Sequence, residues 1–316
     1  MTKPSRPFTT LLGACLLATC VAVLPGCGPQ DGASTDASAD VHAARKPAEA
    51  VRQLTGHLRT NELDAFAQEA VPPEMHARLV VAWSQGRTRW PLDELPFGRR
   101  LPAILAALSA PDSERTLQQT FDRQFAGARR ELGQAAQALG VFGTRYVAEE
   151  GDYSDDERQH YTQLIAAASQ WGAQAPLGDR VRAGHSIAEL AAAARRTNLD
   201  SAEDFRQAGM TASLRRIGPF AATLKRALVR YGLDLDADLG TLDASLQQQT
   251  GDRAKVRMRY RFAGQDIDTV VSLRRIDGRW YLADYLRHAE AAIARPLPPA
   301  PTPAPDAAAP ATPPRR

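Results

Sequence analysis

The sequence predicts an α+β protein with a mainly α-helical body, then a four-stranded antiparallel β-meander, then a short C-terminal helix. Three observations lead there. Apolar residues recur at helical spacing from Val51 to Tyr231, with Pro, Ser and Gly placed where helices begin and end. Near residue 241 the apolar period switches to two, as expected of strands with one covered face. Gly264 and the pair Asp277-Gly278 punctuate the alternating runs and suit two-residue hairpin turns.

The helical elements follow in order. Val51, Leu54 and Leu58, then Leu63 and Phe66, mark two short helices separated at Asn61. Pro72 and Pro73 open the next helix, in which Met75, Leu79 and Trp83 share a face. From Leu117 the apolar positions Phe121, Phe125, Ala128 and Leu132 predict one amphipathic helix. Three capping boxes are expected at helix starts: Ser154 with Glu157, Ser186 with Glu189, and Ser201 with Asp204. The first introduces Tyr161, Leu164, Ile165, Ala168 and Trp171 along one stripe. Pro219 is expected to start a helix carrying Phe220, Leu224, Leu228 and Tyr231, stopped by Gly232.

In the sheet region Leu242, Ala244 and Leu246 alternate with polar residues, and Val256, Met258, Tyr260 and Phe262 alternate with Lys255, Arg257, Arg259 and Arg261. With Gly264 as the first residue of a type II′ turn, Phe262 falls opposite Ile267, Met258 opposite Val271, Val256 opposite Leu273 and Arg261 opposite Asp268. Asp277-Gly278 suits a type I′ turn into a last strand at Trp280 to Asp284, followed by a helix to Ala294. The closing segment SLRRIDGRWYLADYL resembles the end of a nuclear-transport-factor-2-like sheet. That resemblance, confined to the C-terminal hairpins, implies a curved sheet whose helices enclose a pocket.

The two ends have a different composition. Residues 28–47 are Gly, Ala, Ser and Asp with hardly an apolar anchor, the composition of a tether. From Pro296 onward the chain is Pro- and Ala-rich, as expected of a disordered or polyproline tail. The expected division is a signal peptide over 1–26, a modified cysteine and tether over 27–47, a helical region over 48–235, a sheet region packed on it over 236–295, and the tail over 296–316.

The extreme N-terminus carries Lys3 and Arg6, then an uncharged apolar run from Phe8 to Leu24 ended by Pro25, the order of a secretory signal. The run, broken by Thr9, Thr10, Gly13 and Thr19, is short for a bilayer that needs about 20 apolar residues. Leu24, Pro25, Gly26 and Cys27 resemble the lipobox of bacterial lipoproteins, although Pro25 stands where that family usually has Ala, Ser or Thr. Leu17 to Cys20 is a rival placement with the larger Thr19 at the cleavage position, and an ordinary cleavable signal is the other alternative. The resemblance implies that Cys27 becomes the N-terminus and carries acyl chains, each buried methylene adding about 0.8 kcal/mol of membrane affinity. Gly28 after it implies delivery to the outer membrane, on the periplasmic side. The mature chain then has no cysteine left to pair, because Cys15 and Cys20 leave with the signal. Its net charge falls from +3 to +1 as Lys3 and Arg6 are removed, and neither the charge nor the export signal points to nucleic acid.

Residues able to carry chemistry are few. Gly184 to Ala188 imitates a nucleophile elbow without its last Gly, and Ser186 reads better as a helix cap. Asp234, Asp236 and Asp238 have EF-hand spacing, but Leu239 replaces the turn Gly and Ser245 the bidentate Glu. The run Glu149 to Glu157 holds six carboxylates that suit a helix N-terminus. His76, His160 and His288 show no metal-binding spacing, so no metal or cofactor is expected.

Two features suit binding. Lys255, Arg257, Arg259 and Arg261 project to one face with Arg274, a stripe suited to anionic envelope lipids, peptidoglycan or an envelope protein. Trp90, Phe97, Arg99 and Arg100 lie in a Pro-broken loop that could contact a partner. The sequence thus favours a lipid-anchored binding or scaffolding protein of the cell envelope. The alternatives are a small-ligand carrier with a pocket between sheet and helices, or a cell-wall or lipid hydrolase.

Overall fold

Residues 44–95, 97–150 and 152–297 are described by the computed structural model. The expected signal peptide, Cys27, most of the expected tether and the tail from residue 298 lie outside the described residues.

The chain runs through α1 (Pro47–Thr60), α2 (Leu63–Glu69), α3 (Pro73–Ser84), α4 (Leu101–Ser109), α5 (Ser113–Gln124), α6 (Arg129–Glu149), α7 (Asp155–Gln174), α8 (Arg180–Thr197), α9 (Ala202–Val229) and α10 (Leu235–Leu239). The sheet follows as β1 (Asp243–Thr250), β2 (Arg253–Phe262), β3 (Gln265–Ile276) and β4 (Arg279–Leu282), and α11 (Ala283–Ala294) closes the described chain. The sheet is an antiparallel meander in the order β1-β2-β3-β4. The protein is therefore α+β with the order of elements that its periodicity predicts.

Local chemistry accounts for the helix ends. Asn61 adopts a left-handed conformation, φ 63°, and breaks α1 from α2, a role for which Asn is suited. Ser154 and Glu157 form a reciprocal capping box at α7, and Ser201 accepts the Asp204 N–H at the start of α9.

Three helical expectations are corrected. The stripe from Leu117 to Leu132 is split between α5 and α6, because the chain turns at Gly127, φ 78°, whose N–H donates to the Gly178 carbonyl at 3.0 Å. Ser186 is not a cap: it lies inside α8, buried, and the cap is Asp179, whose side chain accepts from Arg182 N–H at 2.9 Å. Pro219 lies in the interior of α9, and the break falls earlier, at Gly209, φ 74°. The neighbouring Gly218 sits where a Cβ would stand 2.5 Å from the Asn61 carbonyl oxygen, so α9 is pressed against the α1–α2 turn at this point.

The β2–β3 register differs by two residues from the expected one. Tyr260 pairs with Ile267, Met258 with Thr269, Val256 with Val271, and Arg259 with Asp268. The turn is Ala263-Gly264, with φ 52° and 81°, the two positive values of a type I′ turn. An alanine is costly there, but its N–H donates to Asp238 Oδ2 at 2.8 Å, a partner from another element. A shift of two preserves which side chains share a face, so the apolar pattern alone does not distinguish the registers. Asp277-Gly278, φ 50° and 77°, makes the expected I′ turn into β4.

Two core clusters result. One packs the inner face of the sheet, including Val256, Met258 and Phe262, on Leu164, Ala168 and Trp171 of α7, Val51 of α1 and Leu235 and Leu239. The other gathers Phe66, Leu79, Trp83, Trp90, Phe205 and Leu214 around Tyr281 and Leu286. Helices and sheet share both cores, so the sheet region does not stand apart from the helical one.

Candidate functional site

Strand β2 alternates without exception between exposed and buried from Arg253 to Phe262. Each even position enters the core, so Lys255, Arg257, Arg259 and Arg261 emerge together on the outer face. Arg274 of β3 is exposed on the same face, opposite Arg253. Arg253 extends the same alternation by one step and belongs to the row, a member that the period of two already indicates.

The charges on this face are not equivalent. Arg257 holds the Asp268 carboxylate through its Nε at 2.8 Å and a second hydrogen bond from Nη2. That contact raises the Arg257 pKa and lowers that of Asp268. Arg259 donates to Asp243 Oδ2 at 2.7 Å. Arg253, Lys255, Arg261 and Arg274 have no acidic partner within ion-pair distance among the described residues. The row is a surface with two neutralised positions and four free cations, able to attract phosphate or carboxylate groups by charge.

The loop residues separate. Trp90 is 1% exposed and packs among Trp83, Leu92 and Phe205, so it folds back into the core and presents no contact surface. Its backbone N–H donates to Thr88 Oγ1 at 2.9 Å. Phe97, at φ 65°, remains outside with Arg99 and Arg100. The Arg99 carbonyl accepts from Arg89 at 3.2 Å.

The acidic run ahead of α7 contributes one buried group. Glu157 is 6% exposed and meets His288 Nε2 at 3.1 Å, while His288 Nδ1 meets Glu94 at 3.1 Å. Arg287 also bonds Glu157, and its Nη2 lies 2.9 Å from His288 Nε2, a contact of two donors that their shared carboxylate offsets. Burial opposes charge on His288, yet the hydrogen bonds to Glu157 and Glu94 prevail and raise its pKa to about 9. A doubly engaged imidazolium has no free lone pair to act as a base. The cluster joins α7, α11 and the turn at Glu94 as a clasp. His57 is held in the same manner, 3.0 Å from Glu62 and 2.6 Å from Glu69. His160 is different: burial lowers its pKa to about 4, and it meets the Tyr260 hydroxyl at 2.5 Å.

Asp234 caps α10 through the Ala237 N–H, Asp236 pairs with Lys225, and Asp238 accepts from Ala263, so the acidic triplet is divided among three structural tasks. Among the described residues no cluster of His, Cys, Asp and Glu suits a metal ion, and no helix is long and apolar enough to cross a membrane. The space a carrier would need beneath the sheet is occupied: Val256, Met258 and Tyr260 are at most 5% exposed within the core. No family model matches the chain, and no curated protein or solved structure is similar to it.

Proposed function

We propose that this protein is a lipid-anchored component of the bacterial envelope, held at the outer membrane through Cys27, whose sheet presents a cationic face to anionic envelope material. The role is binding or scaffolding and involves no catalysis. The observation that carries the reading is the uninterrupted outer row Arg253 to Arg261, in which Lys255, Arg261, Arg253 and, across the ladder, Arg274 lack acidic partners among the described residues. The filled inner face favours this reading over a small-ligand carrier, and the engagement of both His288 ring nitrogens favours it over a hydrolase.

The test has two parts. Mass spectrometry of the protein purified from membranes should find a mature chain beginning at Cys27 with acyl mass. Full chain in neutral detergent should be retained on immobilised anionic phospholipid and released by salt. Replacing the four free cations, Arg253→Glu, Lys255→Glu, Arg261→Glu and Arg274→Glu, should abolish retention and leave the melting temperature unchanged. Retention that survives all four changes would remove the cationic face from the account.

A further inference from the structure

Helix α6 stands apart from both cores. It packs on α7, and none of its residues belongs to either apolar cluster. The α7-facing side is built from small residues: a Cβ at Gly133 would stand 2.8 Å from the Ala173 carbonyl oxygen, and one at Gly140 would stand 2.2 Å from Ser169 Oγ. Gly133, Ala136, Gly140 and Gly143 thus let the two backbones approach closely.

A second side has no occupant among the described residues. Leu132, Ala135, Leu139, Phe142 and Tyr146 follow the 3-4-3-4 spacing of the a and d positions of a coiled coil. Leu139 is 51% exposed, Phe142 67% and Tyr146 46%, and the last two rings stack with centroids 6.3 Å apart. The stripe covers about 21 Å of helix at 1.5 Å per residue. Water is a poor partner for so contiguous an apolar surface.

Charge selects the occupant. Arg129, Arg130 and Arg145 stand against Glu131, Glu149 and Glu150, so α6 lacks the cationic flank with which amphipathic helices bind anionic bilayers. Arg145 pairs with Glu149 at 2.9 Å and Arg130 with Glu131 at 3.5 Å. Two charges remain without an ion partner among the described residues, Arg129 at the first turn and Glu150 just past the last. Both occupy the e position of the same heptad frame.

We infer that the protein self-associates through α6, two copies crossing antiparallel about a two-fold axis between Leu139 and Phe142. In that register Leu139 meets Phe142 of the other copy, the small Ala135 meets the large Tyr146, and Arg129 meets Glu150. Every one of these contacts occurs twice by symmetry. The area is modest for a dimer in dilute solution, and confinement to a membrane surface raises the effective concentration that it needs.

Disulfide cross-linking of the full chain in intact cells tests this. Co-expressed Leu139→Cys and Phe142→Cys chains should give an oxidised dimer far above the wild-type chain and above Val181→Cys, a 67% exposed position on another helix. Adding Arg129→Glu to both chains should reduce the yield several-fold, and adding Glu150→Arg as well should restore it. Cross-linking at 139 and 142 no higher than at 181, or indifferent to Arg129→Glu, overturns the inference. Should the cross-link between positions 139 and 142 not form, and should a Cys27→Ser chain bind lipid vesicles and lose that binding on adding Leu139→Asp and Phe142→Asp, the stripe belongs to a bilayer and the inference is equally overturned.

Discussion

The side-chain amide of Gln163 in α7 takes the place of a neighbouring strand for Asp268. Its Oε1 accepts the Asp268 N–H at 3.0 Å and its Nε2 donates to the Asp268 carbonyl at 3.0 Å. Strand β4 pairs only with Leu273 to Ile276, so this part of β3 would otherwise present an open edge. Gln163→Leu should leave both groups unmatched and cost about 1–3 kcal/mol. The expected readout is a lower melting temperature together with light scattering on heating, and a variant that melts like the wild type without aggregating refutes the edge assignment.

The clasp at His288 gives stability a defined pH dependence. Glu94 from the turn before α4, Glu157 from α7, and Asp284, Arg287 and Arg295 from α11 and its end surround the ring. Because its folded pKa is raised from 6.5 to about 9, the stabilisation is complete below pH 6.5 and is lost as pH rises through about 9. His57, also raised because its bonds to Glu69 and Glu62 outweigh burial, acts in the same direction. Urea unfolding at pH 6 and pH 10 should differ by about 2–3 kcal/mol from His288. In His288→Gln most of that difference should vanish, leaving the smaller shares of His57 and of Tyr153, Tyr161 and Tyr281, whose phenol pKa values are pushed up by burial and act in the same direction.

The Ala263-Gly264 turn predicts a stabilising change. Alanine at φ 52° carries a left-handed cost of about 1–2 kcal/mol, which Asn largely avoids, and Asn-Gly is the preferred type I′ pair. Ala263→Asn should therefore raise the urea midpoint by an amount worth about 0.5–1 kcal/mol. Asp238→Ala, which deprives the Ala263 N–H of its acceptor, should lower it.

The α6–α7 contact predicts a reversal of the usual helix rule. Gly→Ala inside a helix ordinarily stabilises by about 1 kcal/mol. At Gly140 the added carbon would meet Ser169 Cβ at 2.4 Å, so Gly140→Ala should push the helices apart and destabilise. Faster amide exchange confined to α6 is the expected signature. Adding Ser169→Gly should restore protection, and failure of that rescue would rule out steric contact as the cause.

The order of the elements was legible because periodicity and capping are local. Asn61, the Ser154–Glu157 box, the alternation from Val256 to Phe262 and Asp277-Gly278 each act within a few residues of themselves. The outer row of cations followed from the same alternation. The Asp179 cap and the Gly209 break are equally local, a carboxylate three residues before the Arg182 N–H it accepts and a glycine at φ 74°, whereas the Ala263-Gly264 turn that sets the two-residue register is held across the fold by Asp238.

Composition and spacing by themselves determined that this chain has one helical and one sheet region, with basic side chains ranked along one strand, because side-chain direction alternates whatever the surroundings. Only the tertiary structure decided which of those charges lack an acidic partner among the described residues, that Trp90 is core, that Glu94, Glu157 and His288 meet, and that one face of α6 has no neighbour among those residues. Those outcomes depend on which distant segments approach each other, and pair distances of that kind are not encoded in any short window of sequence.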